Sequence, residues 1–129
     1  MTMKYLSIDR IMGYDNVQPR SNTAKLVEDK KIPPEVAARI ERMEGAHLNG
    51  NEAFPLWTAA VLAGNVVGLN NYVLNITSLT YIGMRLLYNT IYINHRTSAV
   101  SWIRSSVFFA SVSLPISLLI RAARKAADR

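Results

Sequence analysis

The chain contains no cysteine, which excludes a disulfide framework and any Cys nucleophile. A thiol used in its chemistry has to arrive with a cosubstrate. Two histidines occur, His47 and His95, too few for a zinc site of the usual His/Cys kind, and no metal is expected. There is no glycine-rich phosphate loop, and no Ser, His and Asp set has the spacing of a hydrolase triad. Residues 1–20 carry no basic-then-apolar leader, so insertion into a membrane has to use internal segments. The most informative absence is of charge. Residues 53–120 hold no Lys, Asp or Glu, and Arg85, Arg96 and Arg104 are their only charged side chains.

Residues 1–52 are different, with eight Lys or Arg and eight Asp or Glu. A water-soluble helical domain needs charges on its outer faces every turn or two, because half of each helix meets solvent. A stretch this poor in charge suits lipid. One bilayer crossing takes ~20 apolar residues, so residues 53–120 accommodate three spans, placed near residues 53–69, 76–93 and 102–120. The fold class expected is therefore all-α, an integral membrane helical bundle. The four cations Arg121, Arg124, Lys125 and Arg129 stand just past the last span, where they anchor a helix at anionic headgroups; nucleic acid is not needed to explain them.

Residues 1–33 read as a polar, mostly irregular lead-in, and residues 34–129 as the helical membrane domain. Pro33-Pro34 followed by Glu35 is a helix start, since Pro suits the first turn and an acid there complements the positive helix end. The helix is expected to run through Glu52 into the first span, with a kink at Pro55. Ala60, Gly64 and Gly68 recur every four residues, a small-residue stripe that lets another helix approach closely. Residues 69–71 form a short turn and residues 94–101 a polar one. Both basic flanks of the third span leave the membrane orientation open.

Positions seven apart on a helix return to the same face. Arg42 and Asn49 are aligned in this way, with Glu52 less than a quarter turn further round. Arg85 and Tyr92 are also seven apart, with Tyr88 and Asn89 on the same side between them. An Arg inside an apolar helix costs ~3 kcal/mol on insertion scales and needs a partner facing protein or water. Glu52, the acid nearest the membrane in sequence, is the partner expected for Arg85; the plainer reading is an ion pair that only ties two helices together. Arg104 opens the third span beside Ser105 and Ser106. His47 lies roughly opposite the Arg42 stripe and reads as a packed or hydrogen-bonded histidine. Together the stripes imply a polar cleft between helices at one membrane surface. Its arginine forks suit a small molecule with several carboxylates, and a guanidinium or hydroxyl near a thiol favours the reactive thiolate.

These residues resemble the membrane-associated proteins in eicosanoid and glutathione metabolism (MAPEG). The run Glu41-Arg42, Ala46-His47, Asn49 and Glu52, followed by Pro55, is similar to the family's second-helix signature. Arg85 with Tyr92 resembles its third-helix pair, Arg104-Ser105 its fourth-helix Arg-Ser, and Asp15-Asn16 with Pro19-Arg20 the segment after its first helix in fungal-type members. The resemblance implies a four-helix membrane bundle that assembles as a homotrimer in the endoplasmic reticulum, with the site facing the cytosol. It further implies glutathione as cosubstrate, held by Arg42, Asn49, Glu52, Arg85, Tyr88 and Tyr92, with Arg104 and Ser105 near its sulfur and a lipophilic electrophile as the second substrate. Residues 1–14 are too short and polar for the family's first helix, so a member lacking it, or one with that helix encoded upstream, is expected. Gly45 stands where several members carry a further Arg, and Tyr88 where some carry His. Fewer cations favour a second expectation, a repurposed isomerase or cyclase of a lipophilic metabolite that uses no thiol. A third is a non-catalytic lipid-binding or regulatory protein.

Overall fold

The structure, a computed structural model, describes residue 15, residues 17–94 and residues 98–128, with backbone only at 98 and 99. What the sequence implies for residues 1–14, Asn16, residues 95–97 and Arg129 lies outside the described residues. The described residues form four helices and no strand: α1 (Ser21–Glu28), α2 (Pro34–Val66), α3 (Asn71–Asn94) and α4 (Ser98–Ala127). They divide into two compact units, Met1–Glu44 and Gly45–Arg129, and α2 begins in the first and ends in the second.

In the first unit the lead-in is more ordered than its composition implies. Asp15 Oδ1 accepts the amides of Val17 (2.9 Å) and Gln18 (3.0 Å), and its Oδ2 meets Lys25 Nζ at 3.2 Å. Asn22, buried, accepts the Asp15 amide at 3.0 Å and donates to the Asp15 and Pro19 carbonyls. Two short polar side chains thus close the turn onto α1, using local hydrogen bonds where apolar burial is scarce. The Gln18 amide, the Lys25 ammonium and the Val17 amide hold the Asp15 carboxyl below the usual carboxylate range. As expected, α2 starts at Pro34, with the Val36 and Ala37 amides bonded to the Pro33 carbonyl.

In the second unit α2 continues through Pro55 to Val66. It ends in a Gly cap: Gly68 has φ +70°, its amide bonds to the Asn65 carbonyl, and the Leu69 amide bonds to the Gly64 carbonyl at 2.8 Å. Gly68 therefore terminates the helix, where left-handed backbone suits Gly, and does not extend the small-residue stripe. Ala60 and Gly64 do serve close packing. Ala60, Leu74 and Leu118 make the apolar core, and Leu74 lies against the Cα of Gly64. Lys125 Nζ donates to the Gly68 carbonyl, a cation on the negative end of α2.

Among the described residues one stretch, Val100–Ala127 of α4, is long and apolar enough to cross a membrane. Only 17% of its membrane-length window is buried in the chain, unlike the core helix of a soluble bundle. Four of its serines are satisfied internally: Ser106, Ser111, Ser113 and Ser117 each donate to a carbonyl three or four residues back. Thr80 and Thr90 of α3 do the same. Hydroxyls bonded this way present little unmet polarity to hydrocarbon. Leu79, Leu86, Trp102 and Phe109 are exposed, an outward apolar surface that suits lipid. The other two expected spans fall on the second half of α2 and on α3, where Asn65, Asn75, Thr80, Arg85 and Asn89 lower the hydropathy although residues 53–94 hold no acid or lysine.

Candidate functional site

The site builds outward from α3. Arg85, Tyr88 and Tyr92 sit three and four residues apart and so share one face. Arg85 is 9% exposed. Its Nη2 donates to Asn49 Oδ1 on α2 at 2.8 Å. The expected Arg85–Glu52 ion pair does not form: among the described residues the guanidinium has an amide partner, and Glu52 is exposed beside the neighbouring cleft. The physical reason is helical phase. Asn49 is half-buried and meets Arg85 of α3, while Glu52, three residues on, is exposed. An amide satisfies a hydrogen bond without neutralising the charge, so Arg85 remains a buried cation with no ion-pair partner among the described residues. Its Nη1 is buried without a hydrogen-bond partner, as is Asn89 Oδ1 one turn further along. Such groups cost about 1–3 kcal/mol each when left unmet. An ionisable side chain kept inside an apolar helix at such a cost is a candidate functional group.

Aromatic rings join Arg85 to Arg104. The Arg85 guanidinium lies 4.9 Å from the Tyr88 ring centroid, the Tyr88 and Tyr92 rings are 5.6 Å apart, and the Arg104 guanidinium lies 5.1 Å from the Tyr92 centroid. Cation–π contact holds a guanidinium without consuming its N–H donors. The structure thus brings together Asn49, Arg85, Tyr88, Tyr92 and Arg104. Ser105 is half-buried next to Arg104 in α4. Arg42, half-buried, belongs to the first unit. His47 is exposed and shares a hydrogen bond with Asn51 at 3.2 Å, in keeping with its reading as a hydrogen-bonded residue. No group of three potential metal ligands occurs among the described residues.

Beside this seam runs a cleft of about 200 Å³ lined by Asn49, Glu52, Ala53, Leu56, Tyr81, Phe108, Val112 and Pro115. Tyr81 forms one wall, stacked on Trp57 at 5.8 Å and 9°, and Phe108 another, 5.8 Å from the Tyr88 ring. The cleft is polar at its Asn49 and Glu52 end and apolar elsewhere, the composition of a site that orients a mostly apolar ligand. The sequence reading missed these walls. Spacing was the available signal: Tyr81 stands four residues before Arg85, and Phe108 four after Arg104.

An all-α membrane protein with one buried and one half-buried guanidinium laid on tyrosine rings, neither in an ion pair among the described residues, is the class that this fold and site define. The chain belongs to the MAPEG family, whose family model matches residues 8–124. No curated protein and no solved structure matches the chain. The family includes glutathione transferases and related enzymes, and membership associates the chain with glutathione-related transferase, peroxidase or isomerase activity.

Proposed function

We propose that the chain is a microsomal glutathione transferase-like enzyme that conjugates, reduces or isomerises a lipophilic electrophile. The observation that carries this reading is Arg85: a cation nine-tenths buried, paired to an amide, with Nη1 still free to donate. The residues present fit glutathione, since an unmet donor suits its carboxylates and the unmet Asn89 carbonyl suits an amide or ammonium. Arg42, Asn49, Glu52, Arg85, Tyr88 and Tyr92 would hold the peptide. Arg104 and Ser105 would favour the thiolate over the thiol, one by charge and the other by donating a hydrogen bond. Glutathione supplies the nucleophilic sulfur when bound. The apolar cleft gives an arriving electrophile a place to lodge, and entry from lipid concentrates it. Three spans, a homotrimer with sites between subunits, residence in the endoplasmic reticulum and a cytosolic opening complete the proposal.

Thermal unfolding of the purified protein at millimolar glutathione tests it. A ligand that binds only the folded state raises the unfolding temperature as its concentration passes Kd. Stabilisation is expected, with loss of the effect in Arg85→Met; no shift with the wild-type chain would count heavily against glutathione use.

One observation favours a second reading on the same fold. A side chain at Gly45, where a further arginine would add a carboxylate partner, would meet the Tyr92 hydroxyl at 2.8 Å. Isomerisation or cyclisation of a lipophilic metabolite by the same Arg and Tyr donors needs no such cation. Turnover that persists without thiol would distinguish this reading from the first.

A further inference from the structure

Glycine inside a helix is less favourable than alanine, so a helix-interior glycine asks what its missing side chain makes room for. At Gly83 the answer is nothing: a Cβ there meets no atom within 4 Å. At Gly50 the nearest atom is Arg85 Nη2 at 4.0 Å, an ordinary contact. Gly45 differs from both. A Cβ would fall 2.8 Å from the Tyr92 hydroxyl oxygen, 3.2 Å from Cε1 and 3.3 Å from Cζ. These three atoms belong to one rigid ring. No rotation of a flexible end relieves the clash, and the whole phenol has to move.

The phenol is not free to move without consequence. Its ring lies 5.6 Å from that of Tyr88, which carries Arg85, and it supports the Arg104 guanidinium at 5.1 Å. We propose that Gly45 is a positioning residue: its bare Cα seats the Tyr92 phenol, and the seated ring fixes the direction in which the Arg104 guanidinium points. A longer side chain at position 45 and an Arg104 held on the Tyr92 ring exclude each other. The chain therefore orients one cation through a ring instead of adding another at position 45. The bearing on thiolate handling rests on the function proposed above, whereas the seating itself does not.

The test uses the full chain in lipid nanodiscs with 15N-labelled arginine, comparing wild type, Gly45→Ala, Gly45→Ala with Tyr92→Phe, and Gly83→Ala. A guanidinium over an aromatic face has its Nε–H signal displaced upfield by the ring, and Arg104→Lys assigns that signal. Gly45→Ala is expected to abolish the displacement, Gly83→Ala to leave it intact, and the double variant to restore it, because removing the hydroxyl removes the 2.8 Å clash and keeps the ring. If Gly45→Ala does not fold, recovery of folding by Tyr92→Phe is read in its place. An Arg104 signal indifferent to Gly45→Ala, or no recovery by Tyr92→Phe, overturns the proposal. Since no thiol is added, failure of glutathione binding would sink the proposed function and leave this inference standing.

Discussion

The two halves of α3 are packed by different rules. Around Leu74 the helix is a plain membrane-style contact: Leu74, Ala60 and Leu118 close on one another, and Gly64 lets the leucine approach its backbone. Three turns on, around Arg85, the same helix buries a guanidinium against an amide and the Tyr88 phenol and leaves Arg85 Nη1 and Asn89 Oδ1 unmet. The first half is optimised for contact and the second forgoes stability to keep polar capacity in an apolar setting. The costly interface is the one on which the proposed function rests.

The sharpest way to break this contrast is at the apolar half. Leu118→Ala opens a cavity beside Ala60 and Leu74 and is expected to cost about 3 kcal/mol, read as a fall in stability on denaturant titration in mixed micelles. The signals of Arg85 and Arg104 should stay in place. At the polar half, Asn49→Leu strands Arg85 Nη2 and is expected to cost about 2 kcal/mol. Asn49→Asp acts in the opposite direction: it gives Arg85 the acid it lacks, so the folded state gains while glutathione affinity, measured by calorimetry, drops about tenfold. A tighter-binding Asp variant would show that the cation is architectural.

Gly83→Ala serves as the quiet control, with open space around the new methyl and a gain of about 1 kcal/mol from helix propensity. Ligand binding should not change. The smallest effect lies in the first unit. Because the Asp15 carboxyl is held below its ordinary range, its contribution is present above that range and disappears as pH falls through the lowered value. Acidifying from pH 5 should therefore lower the protection of the Val17 and Gln18 amides, measured against their intrinsic exchange rates, before α2 is affected, whereas in Asp15→Ala those amides exchange at their intrinsic rates at every pH.

Much of the architecture was legible in residue order. Pro33-Pro34 marked the start of α2, the Leu69-Asn70 turn separated α2 from α3, and the charge-free stretch announced apolar helices. The α1 helix escaped notice because its turn is held by Asp15 and Asn22 side chains bonding to backbone, an arrangement with no periodic signature. Within the site, seven-residue spacing found Arg85 and Tyr92 but could not rank Asn49 above Glu52 as a partner. That choice depends on which way α2 is rotated toward α3, and spacing within one helix carries no information about its rotation against another. Gly45 read as a missing cation; only the Tyr92 ring beside it shows that the vacancy is occupied.

The bond from Lys125 to the Gly68 carbonyl carries a practical corollary for anyone handling this protein. The two ends it joins lie 57 positions apart in sequence, so Lys125 clasps the end of α4 to the turn that follows α2. Trimming the tail, acetylating that lysine or fusing a reporter directly to it would unfasten the exit of α2, and with it the turn from which α3 sets out.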